Sequence, residues 1–98
     1  MKRDDAITAL RRETEAVKAF GATALFLFGS TVREDATEAS DLDLFVEYDQ
    51  KSRFSLIELS GIKLLLEGRL GVIVDVTTRD SLDPFLRDRI EASAEQIF

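Results

Sequence analysis

Short apolar segments of high β-propensity alternate with helical patterns along this chain, and that alternation limits the fold more than any other feature. Residues 23–28, 42–48 and 72–77 are predicted as strands. The second of them alternates, so that Asp43 and Glu47 face away from its leucines. Strands interleaved with helices form parallel or mixed sheets. The sequence therefore predicts an α/β fold, a small mixed β-sheet flanked by helices in the order α-β-α-β-α-β-α.

The segments between the strands carry helical spacing and recognisable end signals. Helices are predicted over residues 4–20 and 55–67, and a turn plus a short helix within residues 31–40. A last helix is predicted after Asp83-Pro84, an N-cap followed by proline at the first helical position. The helix at 55–67 begins with a Ser55-x-x-Glu58 capping box. It carries more apolar residues than one buried stripe needs, so it is either central to the core or meets a partner or a second copy. The last helix places three apolar residues on one stripe: Leu86, Ile90 and Ile97.

The composition limits the kinds of catalytic and metal-binding sites that the chain can form. The chain has 98 residues, a formal charge of −6, and neither His nor Cys. The sequence therefore excludes an imidazole base and disulfides, and it lacks the usual ligand sets of zinc and iron–sulfur sites. The acidic balance argues against direct binding of nucleic acid backbones. The length predicts a single domain over residues 1–98, and the remaining carboxylates favour hard cations such as Mg²⁺.

The location of the protein is predicted from two absences. The longest apolar run, Ala24–Phe28, is far shorter than the roughly 20 residues of a membrane span. The start of the chain, residues 1–5, leads into a charged helical pattern with no apolar signal region. We therefore expect a cytoplasmic protein that has no membrane partner.

Three aspartates are candidate metal ligands. Asp41 and Asp43 lie two positions apart at the start of a predicted strand, so both carboxylates point to one face and can reach one cation. Asp75 interrupts an otherwise apolar strand, where a charge is costly unless it is paired, metal-bound or exposed. If the two strands are neighbours, Asp75 joins the cluster. The alternatives are two solvated carboxylates and an edge-strand charge that aids solubility.

A second candidate site follows the first predicted strand. Gly29-Ser30 would expose backbone N–H groups and a hydroxyl at a helix N-terminus, where phosphate oxygens bind favourably. An ordinary turn with an N-cap has the same pattern. Arg33 could hold a phosphate or pair with Asp35 or Glu38 in its own helix.

Together these residues resemble a known family. Gly29-Ser30, ten intervening residues and Asp41-Leu42-Asp43 have the spacing of the nucleotidyltransferase superfamily typified by DNA polymerase beta. More narrowly, residues 20–98 resemble the minimal nucleotidyltransferase (MNT) proteins, which include MNT antitoxins paired with HEPN-domain toxins. The matching positions are Gly29, Ser30, Arg33, Ser40, Asp41, Asp43, Leu44, Val46 and, as the later carboxylate, Asp75.

The resemblance implies a Mg²⁺-dependent enzyme that transfers AMP from ATP to a hydroxyl. It implies Asp41, Asp43 and Asp75 as catalytic residues and as ligands of two Mg²⁺ ions. The nucleotide-binding residues that it implies are Gly29, Ser30, Arg33 and Ser40. The partner that it implies is a cognate HEPN-domain toxin RNase, which is neutralised by modification of a tyrosine.

Two alternatives stay open at this point. The chain could be a non-catalytic antitoxin whose acidic surface docks on a basic RNase, or a nucleotidyltransferase of small molecules. Nucleotidyltransferases of small molecules usually have a further domain that forms the acceptor pocket. Glu34 departs from the family pattern, since many relatives have Gly directly after the Arg. The sequence does not establish the acceptor, the nucleotide preference or the oligomeric state.

Overall fold

The computed structural model describes residues 1–33 and 41–98, and it contains a mixed four-stranded sheet. The strand order is β3-β2-β1-β4. Strand β1 runs antiparallel to both β2 and β4, whereas β2 and β3 are parallel. The predicted mixed sheet flanked by helices is therefore confirmed. The strands are β1 (Ala22–Phe28), β2 (Leu42–Tyr48), β3 (Val74–Thr78) and β4 (Glu95–Gln96).

Four α-helices accompany the sheet in the described part of the chain, together with a 3₁₀ turn over Arg79–Ser81. Helix α3 begins after Ser55, whose Oγ accepts a hydrogen bond from the Ile57 N–H at 3.2 Å, and it ends at Gly71, which has a φ of +71°. The predicted N-cap at Ser55 is therefore confirmed, whereas the helix continues beyond the predicted end at residue 67. The helices are α1 (Arg3–Arg11), α2 (Thr14–Ala19), α3 (Leu56–Leu70) and α4 (Arg87–Ser93).

The predicted order of elements is wrong at the N-terminal end. The single helix expected over residues 4–20 is two helices, because the chain breaks at Arg12 and Glu13. The Thr14 hydroxyl donates to the Arg11 carbonyl at 2.8 Å, a local bond that competes with the helical pattern. Thr31–Arg33 form the turn expected at the start of residues 31–40, and the short helix expected with it falls on residues 34–40, which lie outside the described residues.

The prediction of a helix up to Ile97 also needs correction, because α4 ends at Ser93 and is followed by the strand β4. Ile97 does not continue the helical stripe but follows β4, where its N–H donates to the Leu25 carbonyl at 2.8 Å. Asp83 caps a turn rather than the helix itself, with its carboxylate accepting from the Phe85 N–H at 2.9 Å. Pairing with β1 is a long-range contact that local periodicity does not reveal.

One face of the sheet carries the hydrophobic core. Helices α1, α2 and α3 pack against this face, and the alternation predicted for β2 is confirmed because its leucines point into the core. The residues of the core that are at most 1% exposed include Ala6, Leu10, Val17, Leu25, Leu27, Leu42, Leu44, Val46, Ile62, Leu66 and Val74.

The opposite face of the sheet is aromatic and carries α4. Phe45 is completely buried and meets Phe26 and Phe28 edge to face, with ring centroids 4.6 and 5.7 Å apart. Side chains of α4 lie beside Phe28 and Asp43 on this face. The two faces thus differ in kind: three helices cover one, and a single short helix partly covers the other.

Side chains of α3 hold the first residue of the edge strand β3. The Lys63 ammonium donates to the Val74 carbonyl at 2.6 Å, and the Glu67 carboxylate accepts from the Val74 N–H at 3.0 Å. Lys63 and Glu67 also pair with each other at 2.9 Å. The backbone groups of Val74 are therefore satisfied from the outer side of the sheet.

The surplus of apolar residues predicted for α3 is present at its surface. Leu56, Ile57 and Leu64 are 78, 82 and 68% exposed, respectively. None of the helices in residues 1–33 and 41–98 is both long and apolar enough to cross a membrane.

Candidate active site

The turn after β1 is shaped by a glycine that lies against an aspartate. Gly29 has a φ of +81°, in the left-handed region that favours glycine. A Cβ at this position would lie 2.4 Å from Oδ2 of Asp43, so there is no space for a side chain. Gly29 therefore allows the backbone of the Gly29-Ser30 turn to approach the Asp43 carboxylate closely. Two residues on, Thr31 is only 2% exposed and anchors the turn in the protein.

The three predicted carboxylates come from the adjacent ends of β2 and β3. Asp43 and Asp75 are direct partners in the parallel register, and Asp41 precedes β2 by one residue. Asp43 is half-buried, whereas Asp41 and Asp75 are exposed. The two strands that bear Asp43 and Asp75 are thus neighbours, which is the condition on which the sequence argument depended.

The electrostatics of Asp43 reflect this crowding. Burial raises the pKa of Asp43 above its ordinary value of 3.8, and the nearby carboxylates of Asp75 and Asp41 raise this pKa further. The Arg33 guanidinium acts in the opposite direction. Burial and the neighbouring carboxylates thus both disfavour the ionised form of Asp43, and a bound cation would favour it.

The donor chemistry of these carboxylates suits Mg²⁺, which prefers oxygen ligands. In the described part of the chain, however, no three acidic side chains already converge in an arrangement that could hold a metal ion. The assignment of Asp41, Asp43 and Asp75 as ligands stays a prediction.

A pocket of about 400 Å³ opens beside Asp43, a size in the range of small-molecule sites. Its inner side contains the Gly29-Ser30 turn, Arg33 and Asp43, so the structure brings these predicted residues together. Asp41 and Asp75 do not line this pocket. Ser40 and Glu34 lie outside the described residues, as do Asp35 and Glu38, the predicted alternative partners of Arg33.

The outer wall of the pocket comes from α4, which the sequence reasoning did not connect with the site. The sequence places Leu86 and Ile90 on one apolar stripe, and in the structure Leu86 is 44% exposed and both residues line the pocket. Arg89 brings a cation to the same wall. The spacing of Leu86, Ile90 and Ser93 in the sequence indicates that they share one helix face. It does not indicate that this face borders the pocket. The wall residues are Leu86, Arg89, Ile90 and Ser93.

The comparison with known families decides the assignment. The model of the nucleotidyltransferase domain family matches residues 10–96. The chain belongs to this family. This nucleotidyltransferase is 44% identical over 64 residues to a Methanocaldococcus jannaschii protein that is named as a protein adenylyltransferase. That match covers 65% of this chain and 67% of the relative.

Solved structures agree with the assignment. The nucleotidyltransferase superimposes on a minimal nucleotidyltransferase with a TM-score of 0.73 and 36% identity, over 97% of this chain and 95% of that one. A chain from the complex of the tri-AMPylated Shewanella oneidensis HEPN toxin with MNT antitoxin gives a TM-score of 0.64 at 16% identity. The second match covers 90% of this chain and 68% of that one, and at this identity it shows the fold alone. The family and fold that the sequence resembles are thus confirmed, and the enzyme is a nucleotidyltransferase.

Proposed function

We propose that this nucleotidyltransferase transfers AMP from ATP to a tyrosine hydroxyl of a cognate HEPN-domain toxin, and so neutralises the toxin RNase. The observation that carries the proposal is the pocket in which the Gly29-Ser30 turn lies against Asp43, the register partner of Asp75. The name of the M. jannaschii relative supports adenylyl transfer to a protein. The S. oneidensis complex, in which the toxin carries AMP, supports the class of acceptor.

The turn and Arg33 would bind the triphosphate. Backbone N–H groups of the turn and the Ser30 hydroxyl can donate to the terminal phosphates, because Gly29 lets this turn lie against Asp43 in the lining of the pocket. The exposed Arg33 guanidinium adds positive charge on the same side of the pocket. These contacts fix the α-phosphorus relative to the acceptor, which is the main contribution of a protein to this class of reaction.

The transfer step exchanges one phosphorus–oxygen bond for another. The acceptor oxygen attacks the α-phosphorus, and the bond from that phosphorus to the bridging oxygen of the leaving pyrophosphate breaks. The Asp75 carboxylate, which is exposed and can meet an acceptor from outside, would favour the deprotonated form of the acceptor hydroxyl, and the proton passes to solvent water. AMP is then joined to the acceptor, and pyrophosphate leaves with the electron pair of the broken bond.

Asp41, Asp43 and Asp75 would hold Mg²⁺. When bound, Mg²⁺ supplies the positive charge that offsets the triphosphate and stabilises pyrophosphate as a leaving group. The carboxylates would keep that charge beside the turn. The surroundings of Asp43 support this assignment. Burial, and after it the carboxylates of Asp75 and Asp41, raise the pKa of Asp43, and a bound cation would offset the cost of its ionised form.

The test mixes the purified chain with its cognate toxin, Mg²⁺ and ATP labelled either at the α- or at the γ-phosphate. Label from the α-position, and none from the γ-position, is expected on the toxin, because AMP and not phosphate is transferred. Replacement of the acceptor tyrosine by phenylalanine should remove the label. Asp43→Asn is expected to lower the rate by about a hundredfold or more, equivalent to roughly 3 kcal/mol.

Asp5→Asn is the matched control, because it makes the same charge change at an exposed position on α1, away from the pocket. It should label the toxin at the wild-type rate. An unlabelled toxin would refute the proposal. Full protection of cells by an Asp41→Asn, Asp43→Asn double variant would instead show that docking alone neutralises the toxin.

A further inference from the structure

The outer wall of the candidate nucleotide pocket is a helix that is weakly anchored by apolar contacts. Helix α4 has seven residues, and none of them is buried. Burial of an apolar face is what normally stabilises so short a helix, because its own hydrogen bonds are insufficient. Polar contacts therefore contribute to the position of α4 over the aromatic face of the sheet.

Arg79 makes such a contact from the 3₁₀ turn that follows β3. Its Nε donates to Oε1 of Glu91 on α4 at 3.0 Å, and another guanidinium nitrogen pairs with Glu47 on β2. The planar guanidinium can engage two carboxylates at once, which a lysine ammonium does less well. Arg79 therefore joins α4 to the central part of the sheet.

The same guanidinium lies over the rings that form the floor of the aromatic face. Its central carbon is 5.6 Å from the ring centroid of Phe26 and 5.9 Å from that of Phe45. Phe45 contacts Phe28, which is the register partner of Asp43 in β2 and a lining residue of the pocket. Contacts thus run without interruption from Arg79 to the residues of the site.

A second cavity, of about 330 Å³, shows that α4 is not packed tightly against the sheet here. Its lining includes Arg79, Glu47, Glu91 and Arg87. Arg87 supplies a second polar link, since its Nη2 donates to the Asp80 carbonyl at 3.1 Å. Among the described residues, the hydrogen bonds and ion pairs that join this part of α4 to the 3₁₀ turn therefore come from Arg79 and Arg87.

We infer that Arg79 is a positioning residue, whose pairing with Glu91 holds α4 at the distance from the sheet at which the pocket accepts the nucleotide. The inference rests on the proposed function, because it takes the pocket beside Asp43 as the nucleotide site. Glu91 does not line that pocket, so its effect on the nucleotide passes through the position of α4. Loss of the Arg79–Glu91 pair lets α4 move outward and weakens nucleotide binding without changing the reacting groups.

The test compares Glu91→Gln with Glu47→Gln. Each substitution removes one carboxylate from Arg79 and makes the same charge change, but only the first breaks the contact with α4. In Glu47→Gln, the rings of Phe26 and Phe45 and the 3₁₀ turn still hold Arg79 beside Glu91. For Glu91→Gln we expect the KM for ATP and the Kd for a non-hydrolysable ATP analogue to rise about two- to fivefold, the range of a partly exposed ion pair, with kcat unchanged. For Glu47→Gln we expect wild-type values. Loss of a negative charge by itself favours an anionic ligand, so weaker binding cannot arise from the charge change.

Amide exchange with millisecond mixing, measured without nucleotide, provides an independent readout. Exchange over residues 87–93 should accelerate about two- to fivefold in Glu91→Gln and stay at the wild-type rate in Glu47→Gln. Equal effects of the two variants on binding, or unchanged exchange in Glu91→Gln, would overturn the inference. A wild-type chain that binds the analogue yet does not label the toxin would refute the proposed function alone. A wild-type chain that binds no ATP analogue would refute both proposals.

Discussion

Gly29→Ala tests whether the turn at the site depends on close contact between backbone and carboxylate. The substitution places a Cβ on a residue with a φ of +81°, 2.4 Å from Oδ2 and 3.2 Å from Cγ of Asp43. Neither atom belongs to a long flexible side chain, and Asp43 is fixed on β2 as the partner of Phe28. The turn, the strand or the carboxylate must therefore move.

The expected cost has two components. A non-glycine residue in the left-handed region costs about 1–2 kcal/mol, and a steric overlap in a packed region costs about 1–3 kcal/mol. The lower conformational entropy of alanine in the unfolded chain offsets about 0.4–1 kcal/mol of this. We therefore expect Gly29→Ala to lower the free energy of unfolding by about 2–4 kcal/mol, a large part of the total of about 5–15 kcal/mol for a typical domain.

Two other glycines provide matched controls in urea denaturation followed by circular dichroism. Gly71 has a φ of +71°, but a Cβ there would meet nothing within 4 Å, so Gly71→Ala bears the backbone cost alone, about 1 kcal/mol. Gly68 lies inside α3 with equally open surroundings, and Gly68→Ala should stabilise the protein by about 0.5–1 kcal/mol. If Gly29→Ala costs no more than Gly71→Ala, the contact with Asp43 is not a constraint and the reasoning is refuted.

Three further substitutions test the charges and the core by the same denaturation measurement, with chelator present. The folded-state pKa of Asp43 is raised above 3.8, so its ionised form opposes folding. Asp43→Asn should therefore stabilise the protein by about 0.5–1 kcal/mol at pH 7. A gain in stability that persists at pH 3 would contradict this reasoning. Hydrogen bonds from the Val74 N–H and from Lys63 lower the pKa of Glu67 below 4.5, so Glu67→Gln should destabilise the protein at pH 7, and this difference should disappear as the pH falls through the folded pKa. Leu66 is fully buried, and Leu66→Ala should cost about 2–5 kcal/mol, against about 0.5 kcal/mol or less for the exposed Leu64→Ala.

Local sequence patterns predicted the elements that depend on local physics. Strand β2 has the predicted bounds, because its successive side chains point alternately to the core and to the aromatic face. The helix after Ser55 was predicted from its cap, because the capping bond joins residues close in sequence. The proximity of Asp43 and Asp75 was conditional in the sequence, and the parallel register of their strands fulfils the condition.

The features that the sequence did not reveal depend on contacts between distant segments. Strand β4 has two residues, too few for a periodic signal, and it is defined by its pairing with Phe26 and Leu27. The amphipathic pattern around Ile90 predicted an apolar face but not that this face borders the pocket. Arg79 had no local signal at all, because its partners Glu47 and Glu91 belong to other elements.

The hydrogen bonds between α3 and the backbone of Val74 also affect how the protein could aggregate. Strand β3 lies at an edge of the sheet, and an edge strand with open N–H and C=O groups can recruit a strand from another molecule. Lys63 and Glu67 already occupy the outward backbone groups at its first residue, so an incoming strand would have to displace a helix that belongs to the same fold. The helix that connects β2 to β3 thereby also blocks the start of that edge against aggregation.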